Sequence, residues 1–444
     1  MPPGDVRAFD VRSGNSAWIF ESVPQRTVGD TESWGDESWK VFGNTNVWSY
    51  MSCDEQNGIV YLPFTTPTND FYGGQRPGNN RYAESIVAVR AETGEKVWDF
   101  QAVHHGIWDY DLPAAPILLD ITVAGAKIPA LAQVSKQGFV YVLNRLTGQP
   151  VWPIEERPVP QNPVVPGERL SPTQPFPTKP PPFDRQGIGT EDLIDFTPAL
   201  REEAETILRK YTYGPLFTPV TEGGTWTLPG LIGGASWAGA TADPHNGPLY
   251  VPSVTLPAVI GAMKSPDTVF HKYTGVWDLD VKGPRDLPLL KPPYGRVTAF
   301  DLNTGEILWM KPMGRGPKQH PALIALNLPD LGWPYRTFLL RTASVLLAVQ
   351  EGDWYLRGGG RKPGAGPGVS AKGSLVVQTA NVDPSLRVLD PATGNTVAEI
   401  PLPANASGAP VTYLADGVQH IAIPIGGASQ KARLIALRLP AGGR

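Results

Sequence analysis

The sequence predicts an all-β protein folded as a propeller. Three observations carry that prediction. Gly and Pro number 48 each in 444 residues, the 41% apolar share is cut into short runs, and an eleven-residue pattern recurs five times. Turn residues between many short apolar runs are the mark of short antiparallel strands. A Gly and Pro share this high also suits disordered chains. The 13 Trp decide against disorder, because a chain this rich in large aromatics has the means to build a core.

The repeats read AFDVRSGNSAW (8–18), AVRAETGEKVW (88–98), VLNRLTGQPVW (142–152), AFDLNTGEILW (299–309) and VLDPATGNTVA (388–398). Two apolar residues lead usually to an acidic or amide residue, then after two more to Ser/Thr-Gly, and after three more usually to Trp. Gly accepts a positive φ at little cost, so Thr-Gly suits a tight hairpin turn between an entering apolar strand and a leaving strand that ends in Trp. The Gly-to-Gly spacings of 80, 54, 157 and 89 residues are uneven, but each holds one or more four-stranded units with insertions. Repetition with an aromatic signature predicts propeller blades within a single domain spanning 1–444.

One region departs from the pattern and is read as an insertion over 153–214. Residues 153–186 are dense in Pro and predict an extended, polyproline-like loop. TPALREEAETILRKY (197–211) predicts a helix, with Thr197 as cap and Pro198 in the first turn.

The bulk numbers exclude several classes. A net charge of -4 with no Lys/Arg run argues against nucleic acid or an anionic membrane surface as partner. The most apolar stretch, 337–349, is too short to cross a bilayer and carries Arg341. The first residues show no apolar signal-peptide core. Cys53 is the single cysteine and reads as a small buried hydrophobe.

The densest chemistry lies in VHHGIWDYDLPAAP (103–116). Polar groups at this density must be hydrogen-bonded or paired if buried. His104 and His105 point to opposite faces of an extended strand, so they chelate one ion poorly. His105 shares parity with Asp109 and is assigned to a pocket, with His104 outside it. Asp111 reads as a structural turn residue.

With the repeats and this segment together, the chain resembles the quinoprotein dehydrogenases that use pyrroloquinoline quinone (PQQ), nearest the glucose/quinate branch. The eleven-residue repeats are similar to that family's tryptophan-docking motifs. GNTNVW, TPTNDFYGG, AQVSKQGFVYVLNR, SPTQPFPTKPPPF and GAPVTYLADGVQHIAIPIGG also resemble its segments, and the likeness runs from about residue 5 to residue 439. The resemblance implies an eight-bladed quinoprotein propeller, of which roughly five to six blades are expected here, with the N-terminal blades outside this sequence.

The resemblance also implies roles. Asp109 matches the catalytic base that takes the hydroxyl proton, next to a divalent cation, calcium or magnesium, that it helps to hold. Trp48 matches the tryptophan that stacks on PQQ, Lys136 the cation beside it, and Trp237 and Ser236 a further contact segment. Ser236 stands where some relatives place an amide. Thr66 stands where the alcohol dehydrogenases place a calcium-binding Asn, which favours the sugar and cyclitol side and leaves the ligand set open. The implied activity is oxidation of a sugar, polyol or cyclic alcohol, in the periplasm, with a quinone or cytochrome c as acceptor. A non-catalytic propeller scaffold is the competing reading, and it gives no reason for Asp109, Lys136 and Trp48 to occur together.

Overall fold

The computed structural model describes residues 1–25, 30–243, 247–266, 271–278, 281–357, 375–380, 382–427 and 430–438. Almost all regular structure is antiparallel strand, and the sheets are the blades of a β-propeller. Each blade is a meander whose strands lie side by side in chain order. Three blades have four strands: Ser52–Asp54, Ile59–Pro63, Ser85–Arg90 and Lys96–Gln101; Thr241–Ala242, Pro248–Val254, Gly295–Asp301 and Glu306–Pro312; and Thr337–Arg341, Leu346–Gln350, Ser385–Leu389 and Thr396–Pro401. Two have three strands, over 117–144 and 411–438, a further three-stranded sheet joins Thr225–Thr227, Ala258–Lys264 and Tyr273–Asp278, and the hairpin Val6–Phe9 with Ser16–Phe20 makes a two-stranded sheet at the start of the chain.

The eleven-residue repeat is the last hairpin of a blade, and its geometry explains its consensus. The acidic or amide residue accepts a hydrogen bond from the backbone N–H two positions on: Asp10 from Arg12, Asn144 from Leu146, Asp301 from Asn303 and Asp390 from Ala392. This is the local turn that Asp and Asn favour. The Ser/Thr hydroxyl then accepts from the N–H two residues further on. All five repeat glycines sit at φ between 69° and 74°. The turn is wider than a two-residue hairpin, because each Gly N–H bonds the carbonyl four residues back. In four of the five repeats a register shift just before the turn inserts one extra residue ahead of the Trp position.

The tryptophans join neighbouring repeats. Trp18 donates its indole N–H to Ala91 O at 2.9 Å, Trp98 to Arg145 O at 2.9 Å and Trp309 to Pro391 O at 2.9 Å. Each acceptor lies three residues before the glycine of the next repeat. The indole lies on that glycine: a Cβ at Gly94 would come within 2.6 Å of Trp18, at Gly148 within 2.8 Å of Trp98, at Gly305 within 3.2 Å of Trp152 and at Gly394 within 2.5 Å of Trp309. Glycine is therefore required twice, for its left-handed backbone and for the bare face it offers. The final repeat has Ala398 in place of Trp, and its strand Thr396–Pro401 is exposed throughout.

The Pro-dense region differs from its expectation. Ile154–Pro158 and Thr173–Pro177 pair as an antiparallel hairpin over five residue pairs. A two-stranded sheet is all edge, so Pro158, Pro175 and Pro177 fit without costing an inner ladder bond. The helix forms as expected over Pro198–Leu208, capped by the Thr197 hydroxyl, which accepts from Leu200 N–H at 3.3 Å. It buries Leu200, Ala204 and Leu208 against Trp226 and Leu287, and Trp226 donates to Leu208 O. Cys53 is corrected: it lies exposed on the short edge strand Ser52–Asp54, and partial burial with Glu55 and Asp54 nearby raises its pKa, which disfavours the thiolate.

The docking geometry gives a graded prediction. Gly14 and Gly148 share the same φ, but nothing lies within 4 Å of a Cβ at Gly14. Gly14→Ala costs the left-handed strain alone, about 1–2 kcal/mol. Gly148→Ala adds the collision with Trp98 and costs about 2 kcal/mol more. Urea unfolding of the two variants measures the difference, and equal losses contradict the docking role.

Candidate functional site

The segment 103–116 runs from the end of the 52–101 blade to the start of the 117–144 blade without strand structure. Over 108–111 its side chains alternate. Trp108 and Tyr110 enter the core, where the indole donates to Thr218 O at 2.8 Å and the phenol to Pro229 O at 2.9 Å. Asp109 and Asp111 take the other side and converge on Lys136, whose ammonium donates to Asp109 Oδ2 at 3.1 Å and to Asp111 Oδ2 at 2.9 Å. Lys136 lies between the strands Ala126–Val134 and Val140–Asn144, in the hairpin the sequence places it in.

Lys136 is almost fully buried and Asp109 is a quarter exposed, so Asp109 is the member of this group that reaches outward. Burial works against the ammonium, but Asp109 and Asp111 outweigh it and hold the Lys136 pKa above its ordinary value. The Asp109 carboxyl is pushed well up by burial, and Asp111 and Asp70 add to the rise while Lys136 opposes it. Asp111 is corrected from its turn reading. Its second oxygen accepts the Thr66 backbone N–H at 2.8 Å, so it bridges two elements.

The structure adds four groups that the sequence did not single out. Thr66 donates its hydroxyl to Glu84 Oε1 at 2.9 Å, and Glu84 has no exposure. Burial pushes the Glu84 pKa up to about 8, with Asp111 adding to the rise and Thr66, Arg76 and Lys136 opposing it. Asp70 is raised to about 6, first by burial and then by Asp111. Arg76 is fully buried and donates to Asn80 Oδ1, Asn69 O and Gly106 O. Glu168 joins the group through His105. No motif spacing marks these residues, because they come together only through the propeller.

His105 does not share the side of Asp109. It sits at φ 50°, so the strand alternation used to place it stops short of it. One ring nitrogen contacts Gly78 O at 2.7 Å and the other Glu168 Oε1 at 2.8 Å, and the ring is buried. Both nitrogens are engaged in holding the segment, and Glu168, which also accepts the Gly73 N–H, stays below its usual pKa although burial acts the other way. His104 pairs with Gln101 and Glu156 towards the surface.

Ser236 and Trp237 approach from the next segment. Gly234 N–H donates to Lys136 O at 2.9 Å, which ties that segment to the Lys136 hairpin. Ser236 Oγ accepts from Arg336 Nε at 3.1 Å and keeps its own proton for a further acceptor. The Arg336 guanidinium lies 5.3 Å from the Trp237 ring centre and pairs with Glu351 at 2.9 Å. Ser236, Ser253 and Arg336 line a shallow hollow, and Ser253 Oγ is buried without a partner. Trp48 is 45% exposed, and its segment is tied beside Thr66 by paired bonds between Asn46 and Thr65.

These residues fit an anionic, planar ligand in part. Lys136, Arg336 and two serine hydroxyls offer cations and donors, and Trp48 and Trp237 expose ring area. Four acids (Asp70, Glu84, Asp109, Asp111) face the two cations Lys136 and Arg76; burial raises the first three, and a cation bound at Asp109 would favour its ionised form. Among the described residues no three His, Cys, Asp or Glu side chains converge at metal-ligand spacing. A cation at Asp109 would take its other ligands from backbone, water or the ligand itself.

The family described as PQQ: glucose/ethanol/alcohol dehydrogenase, beta-propeller domain, matches residues 1–365 and 358–421. The quinoprotein glucose dehydrogenase of Escherichia coli (strain K12) is 31% identical over 457 residues, covering 96% of this chain and 52% of that protein. The quinate/shikimate dehydrogenase (quinone) of Acinetobacter baylyi is 28% identical, covering 97% and 52%. The crystal structure of quinohemoprotein alcohol dehydrogenase from Comamonas testosteroni superimposes with a TM-score of 0.63 at 19% identity, covering 100% of this chain and 58% of that one, and shows the shared fold. The chain spans about half the length of the curated relatives it matches. Among the described residues no helix is long and apolar enough to cross a membrane.

The buried Glu84 predicts a pH signature. Unfolded Glu84 loses its proton near its ordinary pKa of 4.5, whereas the folded group keeps it until about 8. Its contribution to stability is therefore complete below pH 4.5 and declines as pH rises to about 8, by up to about 1.4 kcal/mol per pH unit. Glu84→Gln, which cannot ionise, should flatten the fall in unfolding free energy between pH 5 and 8 relative to the natural chain. Parallel curves contradict the buried neutral acid.

Proposed function

Because this chain belongs to the PQQ-dependent glucose/ethanol/alcohol dehydrogenase β-propeller family, we propose that it serves PQQ-dependent oxidation of a hydroxyl group on a sugar, polyol or cyclic alcohol. The observation that carries the reading is the quarter-exposed carboxylate Asp109 held by the buried ammonium of Lys136.

PQQ, when bound, would supply the acceptor for the hydride, which carries both electrons away from the alcohol carbon. A calcium or magnesium ion at Asp109 supplies a Lewis acid and favours the ionised carboxyl. The remaining work belongs to this chain. Asp109 accepts the proton of the substrate hydroxyl, for which it is the exposed member of its cluster. Lys136 neutralises charge beside it and orients its carboxyl. Trp48 and Trp237 supply aromatic faces for a flat ring, and Ser236 supplies a hydroxyl donor. His105 acts from behind, fixing the segment that carries Asp109. A quinone or a cytochrome c is the proposed electron acceptor, and the proposed place of action is the periplasm.

Titration of the folded chain with PQQ in calcium or magnesium, read by tryptophan fluorescence, tests the reading. Saturable, metal-dependent quenching is expected. Its absence in a folded chain leaves a propeller scaffold as the function. Asp109→Asn should abolish dye-linked turnover while keeping the quenching. Lys136→Ala should weaken binding of the anionic cofactor at least tenfold, the scale of a lost charge-assisted hydrogen bond.

A further inference from the structure

Glu84 reaches neither Lys136 nor solvent, and its position is unusual. It enters from the residue before the strand Ser85–Arg90, at φ 47°, and its head lies against the backbone of Gly106. A Cβ at Gly106 would fall 1.7 Å from Glu84 Oε2, so the carboxyl occupies the space that any side chain at 106 would fill. That space lies directly under the segment bearing Asp109. Gly106 is pinned from its carbonyl by the buried Arg76.

From Glu84 a continuous line of hydrogen bonds leads to the working carboxylate. Glu84 Oε1 accepts the Thr66 hydroxyl at 2.9 Å. The Thr66 N–H reaches Asp111 Oδ1 at 2.8 Å. Asp111 Oδ2 and Asp109 Oδ2 share the Lys136 ammonium at 2.9 and 3.1 Å. Every link up to Lys136 is buried, where polar contacts are strong if complete and costly if broken. Thr66 is the joint: its side chain is set by Glu84, its backbone sets Asp111.

We propose that Glu84 is a positioning residue, which through Thr66 fixes Asp111 and so holds Lys136 at the shared point between Asp111 and Asp109. A residue that merely filled the hollow at Gly106 would need no acceptor facing Thr66. Burial, with Asp111 adding to it, favours the neutral acid against the opposing pull of Thr66, Arg76 and Lys136, and the neutral acid completes the line without adding a further negative charge. The proposal rests on the reading of Asp109 and Lys136 as the working pair, but its consequence, a shielded Lys136, exists in the chain before any cofactor binds.

The test is therefore lysine labelling of the cofactor-free chain with acetic anhydride, read by mass spectrometry, with the exposed Lys179 as internal reference. Three variants separate the roles. Thr66→Val keeps the backbone N–H and the shape but gives up the hydroxyl. Glu84→Leu fills the hollow without an acceptor. Glu84→Gln keeps the Oε1 acceptor and the neutral state. Lys136 labelling should rise about tenfold relative to Lys179 in the first two, the scale of one broken charge-assisted hydrogen bond. In Glu84→Gln it should stay as low as in the natural chain. If Glu84→Leu leaves Lys136 protected, filling the hollow is enough and the proposal falls. Should Glu84→Leu fail to fold by circular dichroism, Thr66→Val decides alone, and unchanged labelling there overturns the line. Because neither PQQ nor turnover enters, a failed PQQ titration and a failed labelling test remain distinct results.

Discussion

The contact on which the structure depends is an indole laid across a bare glycine. A propeller blade has little contact of its own with the next one beyond two twisted faces, and twisted sheets slide unless something fixes their register. The Trp at the end of one repeat supplies area and one directed hydrogen bond at once. Its N–H reaches a carbonyl three residues before the next repeat's glycine, and its face rests where a Cβ would be. Position and angle are both specified by one side chain. The glycine cannot be exchanged without straining the turn and closing the platform, so two unrelated demands meet at one residue.

The consensus of the repeat then follows from the turn beneath that contact. The Asp or Asn closes the turn's first half, the Ser/Thr hydroxyl its second, and the extra residue before the Trp twists the leaving strand. This is why the sequence was so legible at the level of fold. The demands are local, recur with the same residues, and leave a mark within eleven positions. The helix at Pro198–Leu208 was legible for the same reason, since cap, first-turn Pro and apolar face are all near neighbours.

The site was legible only where one short segment or hairpin carries the chemistry. Asp109 and Lys136 could be named from their segments, and the structure brings them to 3.1 Å. Asp111 was misread because its role is defined by two partners 25 and 45 residues away. His105 was misplaced because the backbone is left-handed at both His105 (φ 50°) and Asp109 (φ 58°), which breaks the strand alternation that parity relies on. Glu84, Arg76 and Glu168 left no signal at all, and Asp70 was marked only as part of the family-like segment TPTNDFYGG. A buried acid looks like any exposed acid in sequence, and burial here is conferred by Gly106, by the insertion hairpin and by the neighbouring blade. The Pro-dense segment was misjudged for a related reason. Its prolines forbid an inner strand, but a two-stranded hairpin has no inner strand to forbid.

The two halves of the structure are one argument. The groups that converge on the site arrive from different blades and the links between them: Glu84 from one sheet, Asp109 and Asp111 from the link that follows it, Lys136 from the next hairpin, Ser236 from the segment before the 241–312 sheet, Arg336 from the edge of the 337–401 sheet. No single blade holds a working set. Lys136 can stand between two carboxylates only if the sheets carrying them keep their spacing to a fraction of an ångström, and charge-assisted bonds in a buried site are lost over such distances. Trp98 on Gly148 fixes the 52–101 blade to the 117–144 blade, the same pair of blades that Glu84, Asp111 and Lys136 bridge. The docking contact on the outside of the propeller is thus what keeps the charged cluster assembled on the inside, and the chemistry of the site inherits its precision from an indole and a missing methyl group.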